Sequence, residues 1–361
     1  MEIKISTTKL QDALARVSKG ASCNKMLAIT SVVTIETSGE DLILKTTDGN
    51  IVLQETIKGV VNSGNAFLAA TSVTLFTALV NKTTSKEITL DVTDNTIRYV
   101  GNGVNSLPLI LDEDGNVVEI EAPLLPMDAP IETISSKDIE IISQNNVLTV
   151  SADLDAKELG YYYLHNGKAI TYNRRNLCVS NIQYQGEALI SAQLLNLLGL
   201  MDGNITFARS QDGVLYNFIC KDTLITGNFN NYTYEIESGL LKVNASPEFN
   251  SEIVIKKEDL KESLDRISLF VEDQGFLPIK LISKQDGLQI ESINQDACEL
   301  VEYSTNEIKQ QTNLEQLIDL KALSAVINVC GDNVKIVYGI RDGLKIVTNT
   351  SEFIICYIFL R

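Results

Sequence analysis

Gly39-Glu40-Asp41-Leu42-Ile43-Leu44 reads as a turn running into a strand, and Gln285-Asp286-Gly287-Leu288-Gln289-Ile290 reads the same way. Leu288 stands 246 residues beyond Leu42. The correspondence continues outward. Lys86-Glu87-Ile88-Thr89-Leu90 matches Asp332-Asn333-Val334-Lys335-Ile336, with Ile88 and Val334 again 246 apart. Towards the N-terminus, Leu10, Leu14 and Val17 have the i, i+4, i+7 spacing of an amphipathic helix that Thr7 or Thr8 could cap. Leu260, Leu264 and Ile267 repeat that stripe 250 residues later. Three separate features that share nearly one offset identify an internal repeat.

An offset of this size leaves room for a middle copy. A helix is expected over 189–198, and Gly203-Asn204-Ile205-Thr206-Phe207 supplies the strand after it. The first helix of this copy is expected over 144–154, with Val147, Val150 and Leu154 as its apolar stripe. Two linkers separate the copies. One runs from Glu121-Ala122-Pro123 to Ala129-Pro130 and holds three of the six prolines; the other is Asn244-Ala245-Ser246-Pro247. The expectation is an α+β fold of three similar modules, 1–125, 126–246 and 247–361, each with two helices packed on antiparallel sheet. Solenoid repeats run roughly 20–45 residues. Modules of about 120 residues are too large for that, so ring closure is the better arrangement.

Bulk properties agree with several cores, since one core rarely grows past roughly 250–300 residues and the chain has 361. No apolar run reaches the roughly 18 residues of a membrane span, and MEIKISTTKL has no apolar signal core. A cytoplasmic protein with no membrane partner is expected. Cys23, Cys178, Cys220, Cys298, Cys330 and Cys356 form no CxxC pair or metal spacing and read as free thiols.

Enzyme signatures are missing. His165, the one histidine, lies in Tyr161-Tyr162-Tyr163-Leu164-His165-Asn166-Gly167, a strand followed by a turn. Walker A, dinucleotide and zinc-protease motifs are absent from the sequence. No enzyme, cofactor or metal is expected. The net charge of −17 argues against indiscriminate nucleic-acid binding. It leaves room for a protein that gathers its basic residues on one surface. On the first helix, Lys9 and Arg16 lie away from the Leu10 stripe, with Lys19 on the flank. Lys257, Lys261 and Arg266 accompany the equivalent helix of the third module, and Lys82 and Lys321 belong to second helices. Neither 144–154 nor 192–201, the expected middle-module helices, contains Lys or Arg.

The order and spacing of these segments resemble the β subunit of bacterial DNA polymerase III, the β sliding clamp, over the whole chain. MEIKIS-TTKLQDALARVS resembles that family's opening strand and helix, and Leu44-Lys45-Thr46-Thr47-Asp48 its threonine–aspartate strand end. Tyr162-Tyr163-Leu164 before Asn166-Gly167 resembles its tyrosine pair. Asp332-Asn333-Val334-Lys335-Ile336 and the apolar end over 353–360 complete the likeness.

The resemblance implies two protomers joined head to tail in a six-module ring that encircles double-stranded DNA without reading sequence. A DNA polymerase would bind through a short linear motif, and a clamp loader would open the ring. DNA contacts are implied for Lys25, Tyr162 and Tyr163. A partner-peptide pocket is implied for Leu164, Thr171, Leu177, Pro247, Ile355, Tyr357 and Phe359. The pocket strand departs from the family's aspartate-glycine-histidine-arginine: here it reads Tyr172-Asn173-Arg174-Arg175, which suggests a viral or plasmid-borne clamp serving its own polymerase. Leu107 and Leu109 are expected to meet Leu269, Phe270 and Val271 of a second copy. The competing reading is a clamp-like decoy that binds clamp partners without encircling DNA, motivated by the bare middle-module helices.

Overall fold

The computed structural model describes residues 2–24, 26–62, 67–93, 95–125, 131–150, 159–173, 175–210, 215–228, 242, 244–273, 275–304, 309–340 and 342–359. The chain divides into two compact units, Met1–Ser136 with Leu197–Asn231, and Lys137–Asn196 with Tyr232–Arg361.

The first unit holds two antiparallel sheets. One has β1 (Glu2–Ser6), β5 (Val61–Asn62), β7 (Glu87–Thr93), β8 (Thr96–Val100) and β9 (Val104–Pro108), in the order β5-β1-β7-β8-β9. The other adds β2 (Val32–Ser38), β3 (Asp41–Thr47), β4 (Ile51–Ile57), β6 (Leu68–Ser72), β10 (Ile131–Ser135), β15 (Asn204–Arg209), β16 (Leu215–Cys220) and β17 (Thr223–Asn228), in the order β10-β15-β16-β17-β4-β3-β2-β6. Helices α1 (Thr7–Val17) and α2 (Val73–Asn81) belong to this unit.

The second unit repeats the plan. Its larger sheet has β11 (Tyr161–His165), β12 (Lys168–Tyr172), β13 (Asn176–Asn181), β14 (Glu187–Ser191), β18 (Ser251–Lys256), β23 (Asn333–Tyr338), β24 (Gly343–Val347) and β25 (Ser351–Cys356), in the order β14-β11-β12-β13-β25-β24-β23-β18. The smaller runs β21-β20-β19-β22, from β19 (Pro278–Ser283), β20 (Gly287–Ser292), β21 (Cys298–Glu302) and β22 (Glu315–Asp319). Further helices among the described residues are α3 (Ser136–Asn145), α4 (Ala192–Leu198), α5 (Lys257–Ser268) and α6 (Leu320–Asn328).

One four-strand pattern therefore recurs as β1-β7-β8-β9, β10-β15-β16-β17 and β18-β23-β24-β25. A second recurs as β4-β3-β2-β6, β13-β12-β11-β14 and β21-β20-β19-β22. In each repeat the first strand runs straight into the first helix, and the last strand of the second pattern runs straight into the second helix. This continuity corrects the expected capping of α1. Thr7 is its first helical residue, preceded by Ser6, which makes no side-chain cap. The leading N–H is satisfied across the sheet instead: Thr7 N donates to Lys86 O, Ser136 N to Gly203 O and Lys257 N to Asp332 O. The second helices do carry caps, from Ser72 to Leu75 N and from Asp319 to Lys321 N.

The repeat units are joined by strand pairing. β17 pairs β4, tying the second repeat's first half to the first repeat. β25 pairs β13, tying the third repeat's first half to the second. The middle repeat is thus shared between the two compact units.

Apolar stripes fall where their spacing puts them. Leu10, Leu14 and Val17 are buried in the first unit, and Leu260, Leu264 and Ile267 in the second. Burying each such side chain contributes roughly 1.5–3 kcal/mol. The middle repeat differs. Its first helix is Ser136–Asn145, followed by a 3-10 turn at Asn146–Leu148, so the expected 144–154 helix is displaced. Ile139 and Ile142 are its buried apolar face, while Val147 is exposed and Leu154 lies outside the described residues. The expected 189–198 helix begins later, as strand to Ser191 and helix from Ala192.

Candidate functional site

The basic residues divide by what holds them. In the first unit, Lys9 is exposed on α1 and donates to Lys58 O at 3.0 Å. Lys19, in the turn after α1, and Lys82, at the end of α2, are unpaired among the described residues. Lys25 lies outside the described residues. Arg16 is committed elsewhere: it forks onto Glu55 of β4 at 3.0 and 2.9 Å. Glu55 is 1% exposed. The Glu55 hydrogen bond holds the Arg16 guanidinium above its ordinary pKa, against the opposing effect of burial.

In the second unit, Lys261 is exposed and unpaired among the described residues. Lys257 points its ammonium at Asn328 O and Cys330 O, both at 2.8 Å, and so closes the C-terminus of α6. Lys321 pairs Asp273 at 2.7 Å. Arg266 forks onto Glu299 at 2.8 Å through both nitrogens and reaches Glu262 at 3.5 Å. The displaced middle helix brings in a cation that the sequence reading misses: Lys137, exposed in the first turn of α3. The middle repeat is therefore not bare, although α4 has no Lys or Arg.

Tyr162 and Tyr163 are corrected to core positions. They are 1% and 3% exposed, so neither offers a ring to DNA. β11 lies between β14 and β12, and both tyrosines are covered by the packing of that sheet. Tyr163 hydroxyl donates to Glu187 at 3.2 Å and its ring stacks on His165. Desolvation pushes both phenols up to about 12.

The implied pocket residues divide between the two faces of the larger sheet, because side chains alternate along a strand. Leu177 joins Tyr163, Ile170, Val179 and Ile354 in one cluster, against which Tyr172 and Phe249 pack. Ile355 and Tyr357 belong to the other face, in the core with Leu260 and Phe353. Leu164 is fully buried, one residue out of phase with Tyr163. Thr171 is also buried, bonded to Asn146 O at 3.0 Å and to the Thr149 hydroxyl at 2.7 Å. One pocket does not contain all of them. Pro247, Arg175 and, at 62% exposure, Phe359 are open to solvent. Arg175 lies over the Phe276 ring at 5.4 Å, and Lys345 over the Phe249 ring at 4.7 Å. Phe249 and Lys345 carry no motif that a sequence search would flag. Arg174 lies outside the described residues.

The expected seam residues also divide. Leu107 is buried in its own sheet and Leu109 is half-buried. Leu269 and Phe270 are exposed, and Phe270, Val271, Pro278 and Ile293 line a cavity of about 200 Å³. Among the described residues, β21 is a sheet edge with no partner strand, and β9, which holds Leu107, is another. Among the described residues, no group of three His, Cys, Asp or Glu side chains converges as a metal site, and no helix is long and apolar enough to cross a membrane.

No family model matches the chain, and no curated protein matches its sequence. Solved structures do match. DNA polymerase III subunit beta from Borrelia burgdorferi superposes with a TM-score of 0.85 at 16% identity, and the sliding clamp from Bacillus subtilis with 0.84 at 16%. The beta subunit from the DNA polymerase of Streptococcus pyogenes gives 0.83 at 14%. Each match covers 100% of both chains. The chain has, from end to end, the fold of the bacterial DNA polymerase III β sliding clamp.

Proposed function

We propose that this chain is a sliding clamp, a processivity factor that encircles duplex DNA and tethers a polymerase. The observation that carries the proposal is the full-length likeness to sliding clamps. The chain is organised as modules 1–125, 126–246 and 247–361, and two chains close a ring of six. It acts without catalysis, in the cytoplasm, with a clamp loader to open it. Lys9, Lys19, Lys25, Lys82, Lys137 and Lys261 attract phosphates and read no bases, as sliding requires, while Lys257 and Lys321, whose ammonium groups are held by the carbonyls that end α6 and by Asp273, add only their charge. Arg16 and Arg266 contribute charge but are tied to carboxylates.

A polymerase motif docks on the Leu177 and Phe249 face, with Arg175 at its rim favouring an acidic peptide. Leu269, Phe270 and Val271 flank the seam. Light scattering at micromolar concentration tests the assembly. A species of twice the 39.7 kDa chain mass is expected; a monomer alone would refute the closed ring. The decoy reading rests on α4, which offers no cation to the hole.

A further inference from the structure

The larger sheet of the second unit keeps one cation nearly covered. Lys345, on β24, has 12% of its side chain exposed. It stands opposite Ile354 of β25, and Leu177 of β13 stands opposite Ile354 from the other side. Directly paired residues share a face, so Lys345 lies on the Leu177 face, two strands away. A covered ammonium group needs partners, and Lys345 has three. It donates to Asn244 O at 2.8 Å, lies 3.5 Å from Glu352 Oε2, and sits 4.7 Å from the centre of the Phe249 ring. Asn244 Nδ2 in turn donates to Glu352 Oε2 at 3.1 Å.

Asn244 and Phe249 are the two ends of the linker that leads into β18, and a single ammonium group holds both. Between them, Glu248 N donates to Ser246 Oγ at 3.2 Å. The far end of the linker is fixed from another direction. At Gly339, φ is +135°, and a Cβ there would collide with Glu248 O and Asn250 Oδ1. The linker therefore lies directly on that backbone, in a way only glycine permits. From this anchored loop the Phe249 side chain packs on the cluster of Tyr163, Ile170, Leu177, Val179 and Ile354.

We infer that Lys345 is the positioning residue of the partner-docking face: it clasps 244–249 across the sheet and holds the Phe249 ring as a preformed wall beside Leu177. The inference rests on the docking reading given above and assigns the two basic residues of that face different tasks. Arg175 is exposed and has no carboxylate partner among the described residues. Lys345 is covered and already neutralised by Glu352. An acidic side chain on the partner therefore senses Arg175. Lys345 acts on acidic and neutral partners alike, because a wall fixed in advance spares the cost of ordering it on binding.

The chain has no tryptophan, so Phe249→Trp supplies a single indole, the ring on which an ammonium group sits best. Its fluorescence should be protected from acrylamide. Adding Lys345→Met should remove the protection, and Lys345→Arg should keep it. Amide exchange over 244–249, in chains that retain Phe249, should accelerate in Lys345→Met and not in Lys345→Arg.

Binding is read by anisotropy with two labelled peptides, Leu-Asp-Leu-Phe and Leu-Asn-Leu-Phe. They offer the same apolar side chains to the Leu177 cluster and differ only in charge. Lys345→Met should weaken both about fivefold, the size of one aromatic side chain left to be ordered on binding, and Lys345→Arg should restore both. Arg175→Met should weaken the aspartate peptide alone. A loss confined to the aspartate peptide in Lys345→Met would make Lys345 a direct contact and overturn the inference. Unchanged binding of both peptides in Lys345→Met overturns it too, as does a linker whose exchange and indole protection ignore that substitution. If the native chain binds neither peptide while the indole is protected, the docking reading fails and the clasp remains only a part of the fold.

Discussion

Asn146 occupies the position that Val17 and Ile267 hold in the other repeats, and it is fully buried. Its amide donates to Ala169 O at 3.0 Å and to Thr171 Oγ1 at 3.1 Å, while its oxygen accepts from Ser180. A polar residue in an apolar stripe is tolerated there because every bond is made. The same substitution explains why the sequence reading sets the middle helix too late. Asn145 and Asn146 end the apolar stripe of Ile139 and Ile142, so periodicity favours the later run through Val147 and Val150. Asn146→Ala should cost about 2–3 kcal/mol in urea unfolding, because it removes the buried hydrogen bonds to Ala169 O, Thr171 Oγ1 and Ser180 Oγ together. Tyr357→Ala should likewise lower stability by roughly 3 kcal/mol or more, since Tyr357 is a core residue of the third repeat. An effect on peptide affinity with unchanged stability would place Tyr357 in the pocket instead. The Arg266 fork holds the Glu299 carboxyl below its ordinary pKa. A depressed carboxylate contributes stability above its unfolded pKa, near 4.3, and loses it as pH falls through the folded value. The melting-temperature gap between the native chain and Glu299→Gln should therefore be widest at neutral pH and close below about pH 4.

Strand β3 and strand β20 were legible because a turn followed by alternating Leu and Ile is a local signal, and both alternate between buried and half-buried along their length. Helices α1 and α5 were legible for the same reason at helical period. Partnership between elements was not. Nothing local in Thr223–Asn228 says that it will pair Ile51–Ile57, a strand of a different repeat. The candidate contacts show this limit most clearly. Lys257 and Lys261 sit one turn apart on α5 and look interchangeable in sequence, yet only Lys257 reaches the carbonyls that end α6. Lys257→Met should destabilise the third repeat by about 1 kcal/mol, measurable by denaturant melting. Exposed, unpaired Lys261 should tolerate Glu with little change in stability, as surface charges generally do. A loss of stability in Lys261→Glu comparable to that in Lys257→Met would show that α5 is held together differently.

At the scale of the molecule, 47 acidic residues face 30 basic ones, so free duplex meets a repulsive protein from most directions. Screening confines attraction to about 8 Å at physiological ionic strength. A few exposed lysines that are unpaired among the described residues, Lys19, Lys82, Lys137 and Lys261, are then too sparse to hold linear DNA by charge, and their release of counterions makes what attraction exists steeply salt-dependent. A closed ring needs no such affinity, because linkage keeps it on the duplex. Two behaviours follow that ordinary DNA binding does not combine. Protein loaded on nicked circular plasmid should survive gel filtration in salt high enough to erase binding to short linear duplex. Cutting the same plasmid once should release it, while blocking the new ends with bound protein should restore retention. Replacing Lys19, Lys82 and Lys261 together by Glu should lower loading while the two-chain assembly persists, since none of the three lies on β9 or β21. If retention is indifferent to linearisation with free ends, the chain does not encircle DNA. Its clamp fold would then serve to bind clamp partners away from the duplex.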